Sequence, residues 1–210
     1  MRVFEIRDSK GIDGLTLTER PDPNPGSSDV VVRVRAVSLN FRDLNTVRFA
    51  ARRGIDLPLV PCSDGAGEVV ATGDRVTRFK VGDRVAGIFF PRWISGPTSA
   101  YHVGSALGGD VDGMMAEIVA IHEDGLVRIP EHLTMEEAST LPCAAVTSWQ
   151  ALVTRGAIKA GDTVLVQGTG GVSIFGLQFA LMSGARCIVT SSSDEKLARA
   201  HQLGSTGEIN

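Results

Sequence analysis

The residues best suited to bind a ligand form a glycine-rich turn in the second half of the chain. They are Gly168, Thr169, Gly170, Gly171 and Val172. Residues 163–167 before them have the apolar character of a buried strand, and residues 174–182 after them have the spacing of a helix. This order places the free N–H groups of a helix N-terminus where the phosphates of a nucleotide can bind. The turn therefore predicts nucleotide binding, although Ser173 stands where the G-x-G-x-x-G pattern has its third glycine, which weakens the motif.

The end of the next predicted strand carries hydroxyl groups and no carboxylate. Residues 187–190 form that strand, Ser191 and Ser192 follow it, and Lys196 lies one turn into the next predicted helix. Proteins that bind NAD place Asp or Glu at this strand end to bond the ribose 2′-OH. We therefore predict that Ser191, Ser192 and Lys196 bind the 2′-phosphate of NADPH. An alternative stays open, in which Ser193 or Asp194 only caps the helix.

The elements that must position these residues fall into two regions. Residues 1–125 predict an all-β region, with strands at 30–37, 65–72 and 115–120, a turn at 79–83 that leads into a further strand, and a loop at 91–113. Short strands joined by Gly-Asp turns are typical of a compact barrel. A final strand is predicted at 126–129.

From Thr134 onward the pattern changes to alternating helices and strands. Thr134 and Glu137 have the spacing of a capping box, and helices are predicted at 142–154 and 194–203. Residues 207–209 lead towards a third parallel strand. We thus predict a barrel domain at 1–125 and half of a doubly wound α/β domain at 126–210, and we expect the chain to be a truncated form or a fragment.

Composition excludes several classes of function. The chain has 210 residues, with 21 basic and 24 acidic residues and a net charge of −3, which argues against an electrostatic nucleic-acid binder. No apolar run reaches the roughly 18–20 residues needed to cross a bilayer, so no membrane partner is expected. The three cysteines are far apart and odd in number, which favours a reducing, cytoplasmic setting.

Five motifs together carry a family resemblance. They are residues 40–43 (NFRD), 61–70 (PCSDGAGEVV), 79–85 (FKVGDRV), 141–147 (LPCAAVT) and 167–172 (QGTGGV). The chain resembles the medium-chain dehydrogenase/reductase superfamily, in its zinc-less, quinone-oxidoreductase-like branch. The resemblance covers essentially the whole chain and implies a GroES-like barrel followed by an incomplete Rossmann domain. It also implies that full-length relatives are homodimers.

The resemblance allows the zinc site to be tested residue by residue. The family's alcohol dehydrogenases bind catalytic zinc through three protein ligands, whose positions here hold Asn40, Ser63 and Cys143. An amide and a hydroxyl are poor zinc ligands, and one thiolate cannot hold the metal alone. The loop at 91–113, where the family's structural zinc lobe would lie, contains no cysteine. We therefore expect no metal.

The resemblance also implies roles for three candidate catalytic residues. It places Asn40 and Thr147 near the nicotinamide and its carboxamide, and Asn40 could donate a hydrogen bond to a substrate carbonyl. Asn40 and Asp43 lie where a predicted strand ends and a helix is expected to start. The alternatives are that Asp43 pairs with Arg42 or Arg48 at the helix start, and that Thr147 is a packed helix residue.

The resemblance implies an NADPH-dependent, zinc-independent oxidoreductase. Its small-molecule substrate would be a quinone or a carbonyl-conjugated C=C bond, held between the barrel and the nucleotide domain. Hydride transfer would be the chemistry of the cofactor. Two alternatives stay open: an alcohol dehydrogenase that has lost or relocated its metal, and a non-catalytic fragment that binds NADPH.

Overall fold

The chain folds into two compact units. The computed structural model describes residues 1–8 and 10–210, and its units are Met1–Cys143 and Ala144–Asn210. These units do not coincide with the expected ranges 1–125 and 126–210, because the strand that follows residue 125 pairs within the sheet of the first unit. No helix in the described ranges is both long and apolar enough to span a membrane.

The first unit is built mainly of antiparallel strands. They are β1 (Arg2–Ile6), β2 (Leu15–Glu19), β3 (Asp29–Ser38), β4 (Asp64–Thr72), β5 (Arg84–Gly87), β6 (Ile118–His122) and β7 (Leu126–Arg128). Strands β1 and β2 pair with each other, and the others form a sheet in the order β6-β3-β4-β5-β7. The strands predicted at 30–37, 65–72 and 126–129 are confirmed.

The sheet is held by an apolar core that follows from the alternation of its strands. Side chains at alternate positions point to one face, so valines two residues apart on β3 are buried together. The buried core residues are Val30, Val32, Val69, Phe79, Val85, Leu107, Met114, Ile121 and Leu126. The core also includes Leu107 and Met114 from the loop before β6, which fixes that loop against the sheet.

Short helices interrupt the strands of the first unit. They are α1 (Phe41–Phe49), α2 (Ala100–Val103) and α3 (Met135–Ser139), with 3-10 turns at Gly11–Gly14, Ala51–Arg53 and Glu123–Gly125. The capping box of Thr134 and Glu137 is confirmed at the start of α3. The loop predicted at 91–113 contains α2, and the strand predicted from residue 115 begins at Ile118.

The second unit has the α/β order that the sequence predicts. Its elements are α4 (Val146–Trp149), β8 (Thr163–Gln167), α5 (Gly171–Met182), β9 (Arg186–Thr190), α6 (Asp194–Gln202) and β10 (Gly207–Ile209). The strands are parallel in the order β10-β9-β8. Strand β8 was expected to be buried, but it lies at the sheet edge and Leu165 is 55% exposed.

The predicted helix at 142–154 is confirmed as a helical stretch, but its geometry is not uniform. Helix α4 is flanked by π-helical turns at Leu141–Ala145 and Gln150–Arg155. Residues Leu177, Ala180, Cys187 and Val189 form much of the buried core between the helices and the sheet. The glycine-rich turn lies between β8 and α5, at the carboxyl end of the parallel strands.

Candidate functional site

The glycine-rich turn is tied to the end of the neighbouring strand. Gly168 has φ of +81°, a conformation that side chains other than glycine rarely adopt. Its backbone N–H donates a hydrogen bond to Thr190 Oγ1 at 3.2 Å. Ser173, at the position of the missing third glycine, donates from Oγ to the carbonyl of Gln167 at 2.9 Å. The turn is therefore held at both ends by hydroxyl groups.

The N-terminus of α5 presents an open backbone surface. Gly170 is the N-cap residue, and the N–H of Ile174 donates to its carbonyl at 2.9 Å. A Cβ on Gly170 would meet no atom within 4 Å, whereas a Cβ on Gly171 would lie 3.3 Å from that of Ala144. Thr169 is half-buried and Val172 is exposed. The first N–H groups of a helix have no acceptor within the helix and attract anions, so this end can bind a phosphate group.

Helix α4 also contacts the end of the glycine-rich turn. Ser148 is buried, and its Oγ donates a hydrogen bond to the carbonyl of Val172. Thr147, the neighbouring residue on α4, is exposed and is therefore not a packed helix residue. Sequence reasoning missed Ser148, because a serine inside a helical pattern gives no signal of a partner 24 residues away.

The residues predicted to bind a 2′-phosphate lie around the start of α6. Ser193 is the N-cap residue, and its Oγ accepts from the N–H of Lys196, so Ser193 caps the helix, while the predicted contact with a 2′-phosphate stays a prediction. Ser191 Oγ accepts from the N–H of Ser193 at 3.2 Å, and Ser192 and Lys196 are exposed. Asp194 Oδ1 accepts from Asn210 Nδ2 at 2.7 Å. Capping uses the backbone N–H groups and leaves the Lys196 ammonium and the Ser192 hydroxyl available to a ligand.

Asn40 begins α1 in the first unit and carries an unpaired donor. Its backbone N–H donates to Asp43 Oδ2 at 2.8 Å, which caps the helix. Its side-chain Nδ2 is buried and makes no hydrogen bond with any described residue. A buried donor without an acceptor is costly, so such a group in a native protein calls for a ligand or a water molecule.

A fully buried carboxyl group lies close to this donor. Asp64 Oδ1 accepts from Ser63 Oγ at 2.7 Å, and Oδ2 accepts from the N–H of Cys143 at 3.0 Å. Burial raises the pKa of Asp64, an effect opposed by the Ser63 hydroxyl and by the Asn40 amide, which lies near the carboxyl without the geometry of a hydrogen bond. Asp64 and Ser63 are both 0% exposed, so they hold the surrounding backbone and are not presented to solvent.

Asp43 is also buried, and it pairs with Arg42. Arg42 Nη1 lies 3.4 Å from Asp43 Oδ1, which confirms one of the two pairings that the sequence left open. Burial raises the pKa of Asp43, while the Asn40 N–H and the Arg42 charge act in the opposite direction. Asp43 therefore stabilises the start of α1, which is also where Asn40 lies.

The residues at the family's zinc positions do not fit a catalytic zinc ion. Ser63 Oγ is already bonded to Asp64, and Asn40 offers an amide. Cys143 is the one residue of the three with a side chain that commonly binds zinc, and burial, with a smaller effect from Asp64, raises the pKa of its thiol to about 11. Among residues 1–8 and 10–210 no three His, Cys, Asp or Glu side chains form a group that could hold a metal ion. Zinc-independence nevertheless stays a prediction.

Comparison with known proteins defines the family. Residues 26–131 match the model of the alcohol dehydrogenase GroES-like domain. A structure from Sinorhizobium meliloti 1021, provisionally described as an alcohol dehydrogenase, is 46% identical with a TM-score of 0.93, over all of this chain and 62% of that one. The chain belongs to the medium-chain dehydrogenase/reductase superfamily, as the sequence motifs predict.

Curated relatives carry several functional names. A zinc-type alcohol dehydrogenase-like protein of Schizosaccharomyces pombe is 45% identical, over 95% of this chain and 59% of its own length. A quinone oxidoreductase of Pseudomonas aeruginosa is 36% identical, over 92% of this chain and 54% of its own length. An acryloyl-coenzyme A reductase of Metallosphaera sedula is 32% identical, over 93% and 60%. The chain thus spans less than two thirds of the length of these relatives, whose names describe a dehydrogenase-like protein, an oxidoreductase and a reductase.

Proposed function

We propose that the chain belongs to an NADPH-dependent, zinc-independent oxidoreductase that reduces a quinone or a carbonyl-conjugated C=C bond. The relatives named as a quinone oxidoreductase and an acryloyl-coenzyme A reductase support this substrate class. The three free cysteines suit a reducing compartment and support a cytoplasmic location. Full-length relatives would be homodimers.

One observation carries the proposal: the buried, unpaired Nδ2 donor of Asn40 at a position where the zinc enzymes of the family have a metal ligand. A metal polarises a substrate carbonyl as a Lewis acid, and a preorganised hydrogen-bond donor can do the same work more weakly. The Ser63 hydroxyl is already bonded to Asp64, whereas Asn40 Nδ2 lies near the Asp64 carboxyl but has no hydrogen-bond partner of acceptable geometry among the described residues, so we propose that it donates to a substrate oxygen.

The residues of the second unit suit the cofactor. The open backbone at Gly170 and the N-terminus of α5 would bind the pyrophosphate, and Ser191, Ser192 and Lys196 would bind the 2′-phosphate. Thr147, exposed on α4, would contact the nicotinamide carboxamide. When bound, the reduced nicotinamide supplies the hydride.

The residues of the first unit would orient the acceptor. Asn40 Nδ2 would donate a hydrogen bond to the carbonyl oxygen of the substrate and stabilise the negative charge that develops there. Asp43 keeps Asn40 in place by accepting its backbone N–H at 2.8 Å.

Turnover of the full chain tests the proposal. After EDTA treatment and dialysis, we expect the chain to oxidise NADPH in the presence of benzoquinone or 2-cyclohexenone. The loss of NADPH absorbance measures the rate. Asn40→Ala should lower kcat by on the order of a hundredfold, whereas Asn45→Ala, a half-buried asparagine of the same helix, should not. Activity that EDTA abolishes and zinc restores would identify a metal-dependent alcohol dehydrogenase instead.

The length of the chain bears on the alternative that it is a non-catalytic fragment that binds NADPH. The chain spans 59% of the Schizosaccharomyces pombe relative, so residues that complete the nicotinamide site could lie outside it. If this chain binds NADPH without turnover and a longer form turns over, the fragment alternative is supported. The assignment of NADPH as the cofactor would still hold.

A further inference from the structure

The Arg42 side chain connects α1 to the loop that precedes β6. Its Nη1 donates to the carbonyl of Leu107 at 2.6 Å and lies 3.4 Å from the carbonyl of Gly108. The guanidinium carbon lies 4.8 Å from the centre of the Phe89 ring, so the group is also stacked on an aromatic face. The Arg42 side chain is only 19% exposed. A largely buried guanidinium with these partners occupies a defined position.

The loop that Arg42 binds packs directly on the segment before β4. We call residues 105–113 the capping loop. The N–H of Gly113 donates to the carbonyl of Val60 at 2.8 Å. A Cβ on Gly108 would lie 2.5 Å from the nitrogen of Cys62, and one on Gly113 would lie 2.1 Å from its carbonyl oxygen. The capping loop can approach Cys62 so closely only because glycine occupies both positions, and Cys62 is 2% exposed beneath it.

The same guanidinium nitrogen of Arg42 is also linked, through Asp43, to the candidate catalytic residue Asn40. Arg42 Nη1 pairs with Asp43 Oδ1 at 3.4 Å, and Asp43 Oδ2 accepts the N–H of Asn40 at 2.8 Å. Asp43 also accepts from the backbone of Ser63. The capping loop, the start of α1 and the segment before β4 are therefore joined through one arginine and one carboxylate.

We propose that Arg42 is a positioning residue, which holds Asn40 in the orientation needed for reduction by tying the start of α1 to the capping loop. This inference rests on the proposed function of Asn40. Arg42 itself would not touch the substrate or the cofactor. Its role depends on the planar guanidinium, which can bond a carbonyl and a carboxylate while stacking on Phe89, and which a lysine ammonium cannot replace.

Two variants disturb this connection without removing the positive charge. Arg42→Lys keeps the charge and loses the planar group. Gly109→Ala leaves Arg42 intact, but its new Cβ would lie 2.5 Å from Arg42 Nη2, so the flexible end of the arginine must move. Arg52→Lys is the matched control, because Arg52 is exposed and its guanidinium lies 5.6 Å from the Phe49 ring centre.

Three measurements on the full chain report on the proposal. The first is kcat and KM with NADPH and benzoquinone. The second is alkylation of Cys62 by iodoacetamide, resolved by peptide mass spectrometry, which is slow in the wild type because burial raises the Cys62 pKa to about 12. The third is hydrogen exchange of the Asn40 backbone amide, measured by NMR, since this amide is bonded to Asp43.

We expect Arg42→Lys and Gly109→Ala to raise the alkylation rate and the exchange rate several-fold. We also expect them to lower kcat by about tenfold, because small displacements of positioning groups have effects of this size, with KM for NADPH unchanged. Arg52→Lys should match the wild type. Val69→Ala controls for a general loss of stability, because Val69 is a buried core residue that is not among the Arg42 partners named above. This variant should leave kcat unchanged.

Wild-type alkylation and exchange rates in Arg42→Lys would overturn the proposal. So would a loss of kcat in Arg42→Lys no larger than that in a Val69→Ala protein of equal melting temperature. If the wild type does not turn over, the proposed function fails independently, and the alkylation and exchange rates still decide whether Arg42 holds Asn40 in place.

Discussion

The backbone N–H of Gly168 donates a hydrogen bond to Thr190 Oγ1 at 3.2 Å, which joins the glycine-rich turn to the end of the adjacent parallel strand. Thr190→Val removes the hydroxyl with little change in shape. We expect the NADPH dissociation constant to rise about fivefold, which corresponds to a hydrogen bond of about 1 kcal/mol. Isothermal titration calorimetry measures this change. Thr163→Val, at the other end of β8, is the control, and an equal effect there would contradict the assignment.

Two glycines of the turn should respond differently to alanine. Gly168 has φ of +81°, so Gly168→Ala should lower the free energy of unfolding by about 1–2 kcal/mol. Gly170→Ala should leave stability unchanged, because the new Cβ meets no atom within 4 Å, but it should weaken NADPH binding by obstructing the pyrophosphate. Denaturant unfolding and calorimetry separate the two effects. Unchanged NADPH affinity in Gly170→Ala would show that the phosphates bind elsewhere.

The preference for NADPH should depend on the hydroxyls at the end of β9. Ser192→Asp introduces a carboxylate beside the predicted 2′-phosphate, and like charges about 4 Å apart in water repel by about 1 kcal/mol. We expect NADPH binding to weaken at least about fivefold, with NADH binding almost unchanged. Ser95→Asp makes the same charge change at an exposed position of the first unit. Equal losses for both cofactors would exclude a 2′-phosphate contact at Ser192.

The buried carboxyl group of Asp64 should make stability fall as the pH rises. Burial raises its pKa in the folded chain above the unfolded value, so the folded chain binds the proton more tightly between the two values. Stability from this group is thus greatest at low pH and is lost as the pH rises through the folded pKa.

Comparison with Asp64→Asn isolates this contribution from the titration of other groups, including the buried Asp43 nearby. We expect the melting temperature of the wild type to fall relative to that of Asp64→Asn as the pH rises from about 4. Differential scanning calorimetry at several pH values measures the difference. A constant difference would show that Asp64 titrates normally in the folded chain.

Much of the fold could be predicted because its signals are local. The capping box at Thr134, and the strand and helix that flank the glycine-rich turn, depend on residues close in sequence, and each is confirmed. The pairing of β1 with β2 was missed, and strand β6 was predicted too early, because strand ends are fixed by distant partners. The π-helical turns around α4 were also missed, since their hydrogen-bond pattern leaves no periodic signal.

The candidate site shows the same division between local and distant contacts. The sequence predicts Asn40 and Asp43 at a helix start and Ser193 as a helix cap, and the structure has them there. It gave no indication that Ser148 braces Val172 or that Arg42 reaches Leu107, 65 residues away. The predicted roles of the cofactor-binding and catalytic residues stay predictions until ligand binding is measured.

We expect the glycine-rich turn and the hydroxyls after β9 to bind NADPH without a metal. The most direct measurement is titration of the EDTA-dialysed chain with NADPH and, separately, with NADH by calorimetry. We predict that NADPH binds at least about tenfold more tightly, a difference of about 1.4 kcal/mol. Equal or tighter binding of NADH, or NADPH binding that appears only after zinc is added, would show that this cofactor assignment is wrong.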